Sequence, residues 1–217
     1  MPRTRIKICG ISRTDHALAA AEAGADAIGF MFYRESPRWI DPDDARAIMD
    51  TLPPLVATVG VFVNPSIEKF CDCEEACPTN YVQLHGQEDE AMVRRCGPWL
   101  IRAVRYDADT IAADLARWDA IDEVDAILAD GSVGGEGVTL DWHGLAAAAK
   151  GISTPIILAG GLTPENVAEA IRVVRPYGVD VSSGVERSRG QKDPDLIRAF
   201  CRAVREADRA IEDSAGD

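Results

Sequence analysis

Two periodicities alternate along the chain. Short apolar or β-branched runs fall near 5–9, 27–32, 57–63, 81–85, 100–105, 126–130, 155–159 and 178–182. Between them lie longer, Ala-rich stretches with apolar residues every three or four positions, near 14–24, 41–51, 65–76, 88–96, 110–121, 141–149, 164–174 and 193–211. The first pattern reads as buried strands and the second as amphipathic helices. Thr14, Asp41 before Pro42, Asn64 before Pro65, Thr163 before Pro164 and Asp193 before Pro194 are predicted to start helices, since a side-chain oxygen can take up a free N–H of the first turn and Pro lacks one there. Eight strand–helix units without a break predict a single α/β domain over 1–217, a (β/α)8 TIM barrel with the small acidic residues from 211 onward frayed. A doubly wound open sheet usually has roughly five to seven strands and fits less well.

In such a barrel, chemistry sits at the carboxyl ends of the strands. The first strand reads Arg-Ile-Lys-Ile-Cys-Gly. A period of two turns Ile6 and Ile8 toward the helices and Lys7 and Cys9 inward. Cys9 is then either a small buried hydrophobe or a thiolate base at the mouth. An inward Lys7 is costly unless paired. Asp180 on the eighth strand, next to the first in a closed ring, is predicted to face inward near Lys7 or Arg38, with a purely structural ion pair as the competing reading. Arg38, in the loop after the second strand, suits a ligand carboxylate, although most loop arginines are solvated surface. Gln83 and His85 share the inner face of the fourth strand. His85 reads as a polar lining residue before it reads as a proton carrier. Asp130 ends the sixth strand after four apolar residues. It could cap the loop, or serve as a general acid whose apolar approach favours the protonated form. The Gly-rich stretch 131–137 reads as an active-site loop or lid. Gly160 and Gly161 end the seventh strand, and Ser182, Ser183 and Gly184 the eighth. Small residues with open N–H groups at these two adjacent ends point to a phosphate.

Composition narrows the class. The chain has 217 residues, 23 Lys plus Arg against 36 Asp plus Glu, and a formal charge of −13. That excludes a general nucleic-acid binder, which needs a basic face, and disfavours an anionic membrane surface. Only Lys7, Lys69, Lys150 and Lys192 are lysines. So acidic and Lys-poor a surface suits a salt-rich cytoplasm. No stretch approaches the ~18 apolar residues of a span, and the start has no secretory apolar region. The six Cys, namely Cys9, Cys71, Cys73, Cys77, Cys96 and Cys201, are expected to be reduced thiols in a cytoplasm. Cys71, Cys73 and Cys77 lie on a predicted helix at a spacing that turns them to different sides, so no metal site is expected.

Taken together, these strand ends resemble the phosphoribosylanthranilate isomerases of tryptophan biosynthesis, in the ribulose-phosphate-binding barrel group. The matching motifs are K-I-C-G-I (7–11), G-A-D-A-I-G-F (24–30), S-P-R (36–38), G-V-F-V-N (60–64), V-Q-L-H-G (82–86), L-A-D (128–130), G-G-E-G (134–137), L-A-G-G-L (158–162), P-E-N-V (164–167) and D-V-S-S-G-V-E (180–186). The resemblance implies a cofactor-free barrel enzyme for an Amadori rearrangement of a phosphorylated aminoaldose. It implies Cys9 as base, Asp130 as acid and Arg38 at the anthranilate carboxylate. It implies phosphate binding at Gly160–Gly161 and at Ser182–Ser183–Gly184. The chain departs from the usual pattern at Arg13, His16, Glu136 and Val138, with Glu136 in the lid and Val138 just after it. Other phosphosugar barrels, such as the two-aspartate isomerases of histidine biosynthesis or a related lyase, resemble it less. A non-catalytic scaffold is the reading from another class. Monomer and homodimer both remain open.

Overall fold

A computed structural model of the chain describes residues 3–131 and 140–215. The elements run β1 (Arg5–Cys9), α1 (Thr14–Glu22), β2 (Ala27–Met31), α2 (Pro42–Met49), β3 (Ala57–Phe62), α3 (Ile67–Ala76), β4 (Tyr81–Leu84), α4 (Glu90–Cys96), β5 (Leu100–Arg105), α5 (Ile111–Asp119), β6 (Val124–Asp130), α6 (Trp142–Ala148), β7 (Ile156–Leu158), α7 (Val167–Val174), β8 (Gly178–Val181) and, at the end, α8 (Pro194–Ala215). The eight strands form one closed parallel barrel in chain order. It is sealed where β1 meets β8 in a register that sets Lys7 opposite Asp180. The (β/α)8 expectation therefore holds.

Alternation along each strand sorts the side chains. Ile6, Ile8, Ile28, Phe30, Leu84, Leu100, Ile127 and Val179 join the core between strands and helices. Cys9, Val59, Val61, Ile101, Ala103, Ala126, Leu128, Ile157 and Ala159 make a separate cluster inside the ring. Several of these inner residues are small, which leaves room at the mouth for polar groups.

Several predicted features shift. Thr14 lies inside the first turn of α1, whose N-cap is Arg13 without a side-chain bond. Ser66, not Asn64, caps α3 by accepting from the Lys69 N–H; Asn64 turns left-handed (φ 46°) and its Oδ1 accepts from Gln87 instead. Asp41 caps α2 as expected. The chain does not fray at 211, because α8 continues to Ala215. Ile197, Phe200, Cys201, Val204, Ala207 and Ile211 are buried at helical spacing. Each large apolar group gains roughly 2 kcal/mol from leaving water, which holds the last helix down past the predicted end. Asp208 on α8 also accepts from the Thr4 N–H and hydroxyl, at 2.9 and 2.6 Å. Between β8 and α8 the chain inserts a 3-10 turn, Ser183–Val185, and a hairpin of β9 (Glu186–Ser188) and β10 (Gln191–Lys192). No periodicity announced this hairpin.

Among the described residues the exposed large apolar side chains are Leu55, Trp99 and Tyr177. All three precede strands and so lie at the amino ends. No described helix is long and apolar enough to cross a membrane.

Candidate active site

Cys9 closes β1 at the carboxyl end, inside the barrel and only 5% exposed. Gly29 on β2 makes room for it: a Cβ there would stand 2.9 Å from Cys9 Sγ and 3.2 Å from Lys7 Nζ. Lys7 is buried too, and its Nζ donates to Asp180 Oδ1 at 2.7 Å. Asp180 thus faces inward and meets Lys7, as its register predicted. Burial alone would lower the Lys7 ammonium, yet Asp180 and the Cys9 thiol outweigh it and lift the group to about 12. Burial pushes the Cys9 thiol up, with the Lys7 charge pulling against it. The site therefore holds a thiol whose ionisation depends on the charges around it.

Arg38 does not stand free in its loop. It is buried, and its stem lies over Gly10, where a Cβ would be 2.5 Å from Arg38 Cδ. Its Nε and Nη2 donate to the two carboxylate oxygens of Glu186, at 2.7 and 2.9 Å. One edge of the guanidinium is thus spent on a protein carboxylate. Nη1 makes no hydrogen bond among the described residues. Glu186 also accepts from Lys192 Nζ at 2.8 Å and from the Gly190 N–H at 3.1 Å. Burial would raise its carboxyl, but Arg38 and Lys192 bring it down to about 2. Lys192 donates as well to the Ser182 carbonyl (2.9 Å) and hydroxyl (3.2 Å). Ser182 Oγ in turn donates to the Cys9 carbonyl at 3.2 Å.

Across the mouth, Asp130 ends β6, three strands round the ring from Cys9. His85 follows β4 and lies between Gln83 and Asp130. Gln83 Nε2 is 2.8 Å from His85 Nδ1, and His85 Nε2 is 3.2 Å from Asp130 Oδ2. An amide donor on Nδ1 leaves the ring proton on Nε2, pointed at the carboxylate. His85, expected to line the site, also contacts the candidate acid. A cleft of about 40 Å³ is lined by Asp130, Gly160, Gly161, Asp180, Ser182 and Ser183. It joins the acid to the expected phosphate end. The N–H groups of Gly161, Ser183 and Gly184 make no hydrogen bond among the described residues, so they are open to an anion.

Sequence reasoning missed Glu186 and Lys192 as members of this site. A signal existed: in a chain with four lysines, two are buried near the one cysteine that ends a strand, Lys7 inside the barrel and Lys192 on the hairpin. Gln83 was placed correctly on the inner face, but its bond to His85 was not foreseen. Arg13 pairs with Asp15 at the surface. His16 is buried, and its Nδ1 has no partner among the described residues. Glu136 and Val138, with the rest of the stretch 132–139, lie outside the described residues. Cys71 is exposed, Cys73 half-buried and Cys77 buried.

A larger cavity, of about 430 Å³, opens at the amino ends, lined by Arg5, Asp26, Tyr81, Asp125 and Tyr177. Its acids are already engaged: Asp26 accepts from the Ile6 N–H and Asp125 from the Leu100 N–H. Volume alone would point to the wrong end of the barrel. The unspent polar groups collect at the other.

The chain is similar along nearly its whole length to proteins of one family. The family profile of N-(5'phosphoribosyl)anthranilate (PRA) isomerase matches residues 6–203. The chain is 50% identical to an N-(5'-phosphoribosyl)anthranilate isomerase of Pseudomonas fluorescens (strain Pf0-1), over 94% of this chain and 100% of that one. The crystal structure of phosphoribosyl anthranilate isomerase from Thermotoga maritima superposes with a TM-score of 0.84 at 43% identity, covering 94% of this chain and 99% of that one. A second solved isomerase, in complex with reduced 1-(o-carboxyphenylamino)-1-deoxyribulose 5-phosphate, gives a TM-score of 0.81 at 42% identity, with coverage of 94% and 99%. With the profile spanning nearly the whole barrel and half the residues shared with a full-length relative, the chain belongs to the N-(5'-phosphoribosyl)anthranilate isomerase family.

Proposed function

We propose that the chain rearranges N-(5-phosphoribosyl)anthranilate to 1-(2-carboxyphenylamino)-1-deoxyribulose 5-phosphate, with Cys9 as base and Asp130 as acid. One observation carries the assignment: a thiol flanked by Lys7 and Asp180 stands at the same barrel mouth as a carboxyl contacted by His85. Asp130, protonated, gives its proton to the ribose ring oxygen as the ring opens to a protonated Schiff base. Cys9, as thiolate, then removes the proton from the sugar's second carbon, and the enolamine tautomerises to the ketone. The reaction moves hydrogen within one molecule, so an acid and a base suffice. The cationic Schiff base also lowers the cost of a thiolate beside it, so the base ionises when it is needed.

Gly160, Gly161, Ser182, Ser183 and Gly184 hold the phosphate, and the Nη1 edge of Arg38 meets the anthranilate carboxylate. Binding energy from these remote ends holds the pentose between acid and base. Asp180 keeps Lys7 charged under Cys9 and lines the cleft toward the phosphate. The test is a fluorescence assay of the loss of freshly made phosphoribosylanthranilate at high salt. No loss above the spontaneous rate, with folded protein, would refute the reading. The acidic, Lys-poor composition supports work in a salt-rich cytoplasm.

A further inference from the structure

Resting on that reading of the site, we propose that Lys192 is a positioning residue that sets its charge, returning to the mouth the positive charge that Glu186 takes from Arg38. The side chain of Lys192 is fully buried. Its three ammonium protons match three acceptors: the Ser182 carbonyl, the Ser182 hydroxyl and Glu186. No donor remains for a substrate, so Lys192 acts through its neighbours.

The charges make it more than a clamp. Asp130 at the same mouth carries its proton in the proposed reaction, and the buried Arg102 and Glu88 neutralise each other; five further buried groups are ionised there. Lys7 pairs with Asp180, and Arg38 with Glu186. Each pair is neutral by itself, and the bidentate Arg38–Glu186 pair already fixes the guanidinium. Lys192 is the surplus cation, and a surplus buried charge is costly to keep. An apolar side chain of the same length would plug the space without that cost. His16, on α1, adds no charge: burial lowers its pKa, and it is neutral at pH 7. The surplus lies under Ser182, next to the open N–H groups of Ser183 and Gly184, and one hydroxyl away from the Cys9 carbonyl. A phosphorylated, carboxylated substrate and a thiolate are all anions, and a net cation favours each of them.

The experiment titrates Cys9 without substrate. Thiolate absorbance is taken as the difference between each protein and its Cys9→Ala counterpart, for the wild type, Lys192→Met, Glu186→Gln and the double variant. Lys192→Met should move the Cys9 midpoint up, and Glu186→Gln should move it down. The double variant keeps one surplus charge, that of Arg38, and should return near the wild type. The KM for phosphoribosylanthranilate should rise about tenfold in Lys192→Met and recover in the double variant. A clamp without an electrostatic role predicts the opposite, a double variant worse than either single one. That result, or an unmoved midpoint in the folded single variants, overturns the proposal. If Lys192→Met does not fold, Glu186→Gln decides alone by shifting the midpoint down or leaving it in place. Midpoints that behave as described in a wild type lacking isomerase activity would refute the reaction and leave the charge assignment standing.

Discussion

Lys7 Nζ and Asp180 Oδ1 meet at 2.7 Å inside the barrel, on the first and last strands of the ring, with both side chains almost fully buried. Removing one partner strands a charge away from water, which costs about 3–5 kcal/mol. Asp180→Ala should therefore lose that much in urea titration, and Lys7→Met combined with Asp180→Leu should lose less. The pH dependence has a definite sign. Lys7 is lifted from 10.5 to about 12 on folding, so its contribution is complete below 10.5 and fades as pH rises through about 12. Thermal melts across the alkaline range would show it.

Cys9→Ala and Asp130→Asn should each cut turnover by about 10²- to 10⁴-fold, the usual contribution of a positioned acid or base. Circular dichroism should report unchanged folds. An unaltered rate in either variant would remove that residue from its role.

Arg38→Ala should weaken binding of an anthranilate-bearing analogue by about 10- to 100-fold, the worth of a charge-assisted bond. Calorimetry measures this directly. The substitution also strips Glu186 of two donors. Glu186 is depressed from 4.5 to about 2, so its contribution is present above 4.5 and lost as pH falls through about 2. The variant should accordingly be less stable than the wild type above about pH 4.5, and the gap should close as pH falls toward about 2.

His85→Ala removes one contact to Asp130 and leaves Gln83 without its ring partner. A single hydrogen bond is worth about 0.5–1.5 kcal/mol, so kcat should fall by roughly 3- to 10-fold, with a changed pH limb. An unchanged limb would return His85 to the role of a lining residue.

Salt should stabilise the chain. With a formal charge of −13, self-repulsion weakens as the screening length shrinks from about 10 Å at 0.1 M to about 3 Å at 1 M. A melting temperature that does not rise with potassium chloride would count against the salt-rich cytoplasm.

The parallel strands were legible because each buries both faces, so apolar runs mark them and the residue after each run marks the mouth. Cys9, Asp130 and Asp180 could be placed by counting in twos. The strands of the hairpin that carries Glu186 and Lys192 have three and two residues, too short for any period to show. Partnership was equally invisible: nothing local says that Arg38 reaches 148 residues along the chain to Glu186. The last helix outran its predicted end because composition suggested fraying, while Ile211 packs against the core.

Of the lysines, Lys7 and Lys192 are sealed inside, whereas Lys69 and Lys150 are exposed. Among the lysines, amine-directed coupling of the native chain will thus attach at the latter two and spare the candidate site. Acylation of Lys7 requires that the barrel first come apart, so its rate becomes a clock for global opening, while that of Lys192 reports opening of the hairpin.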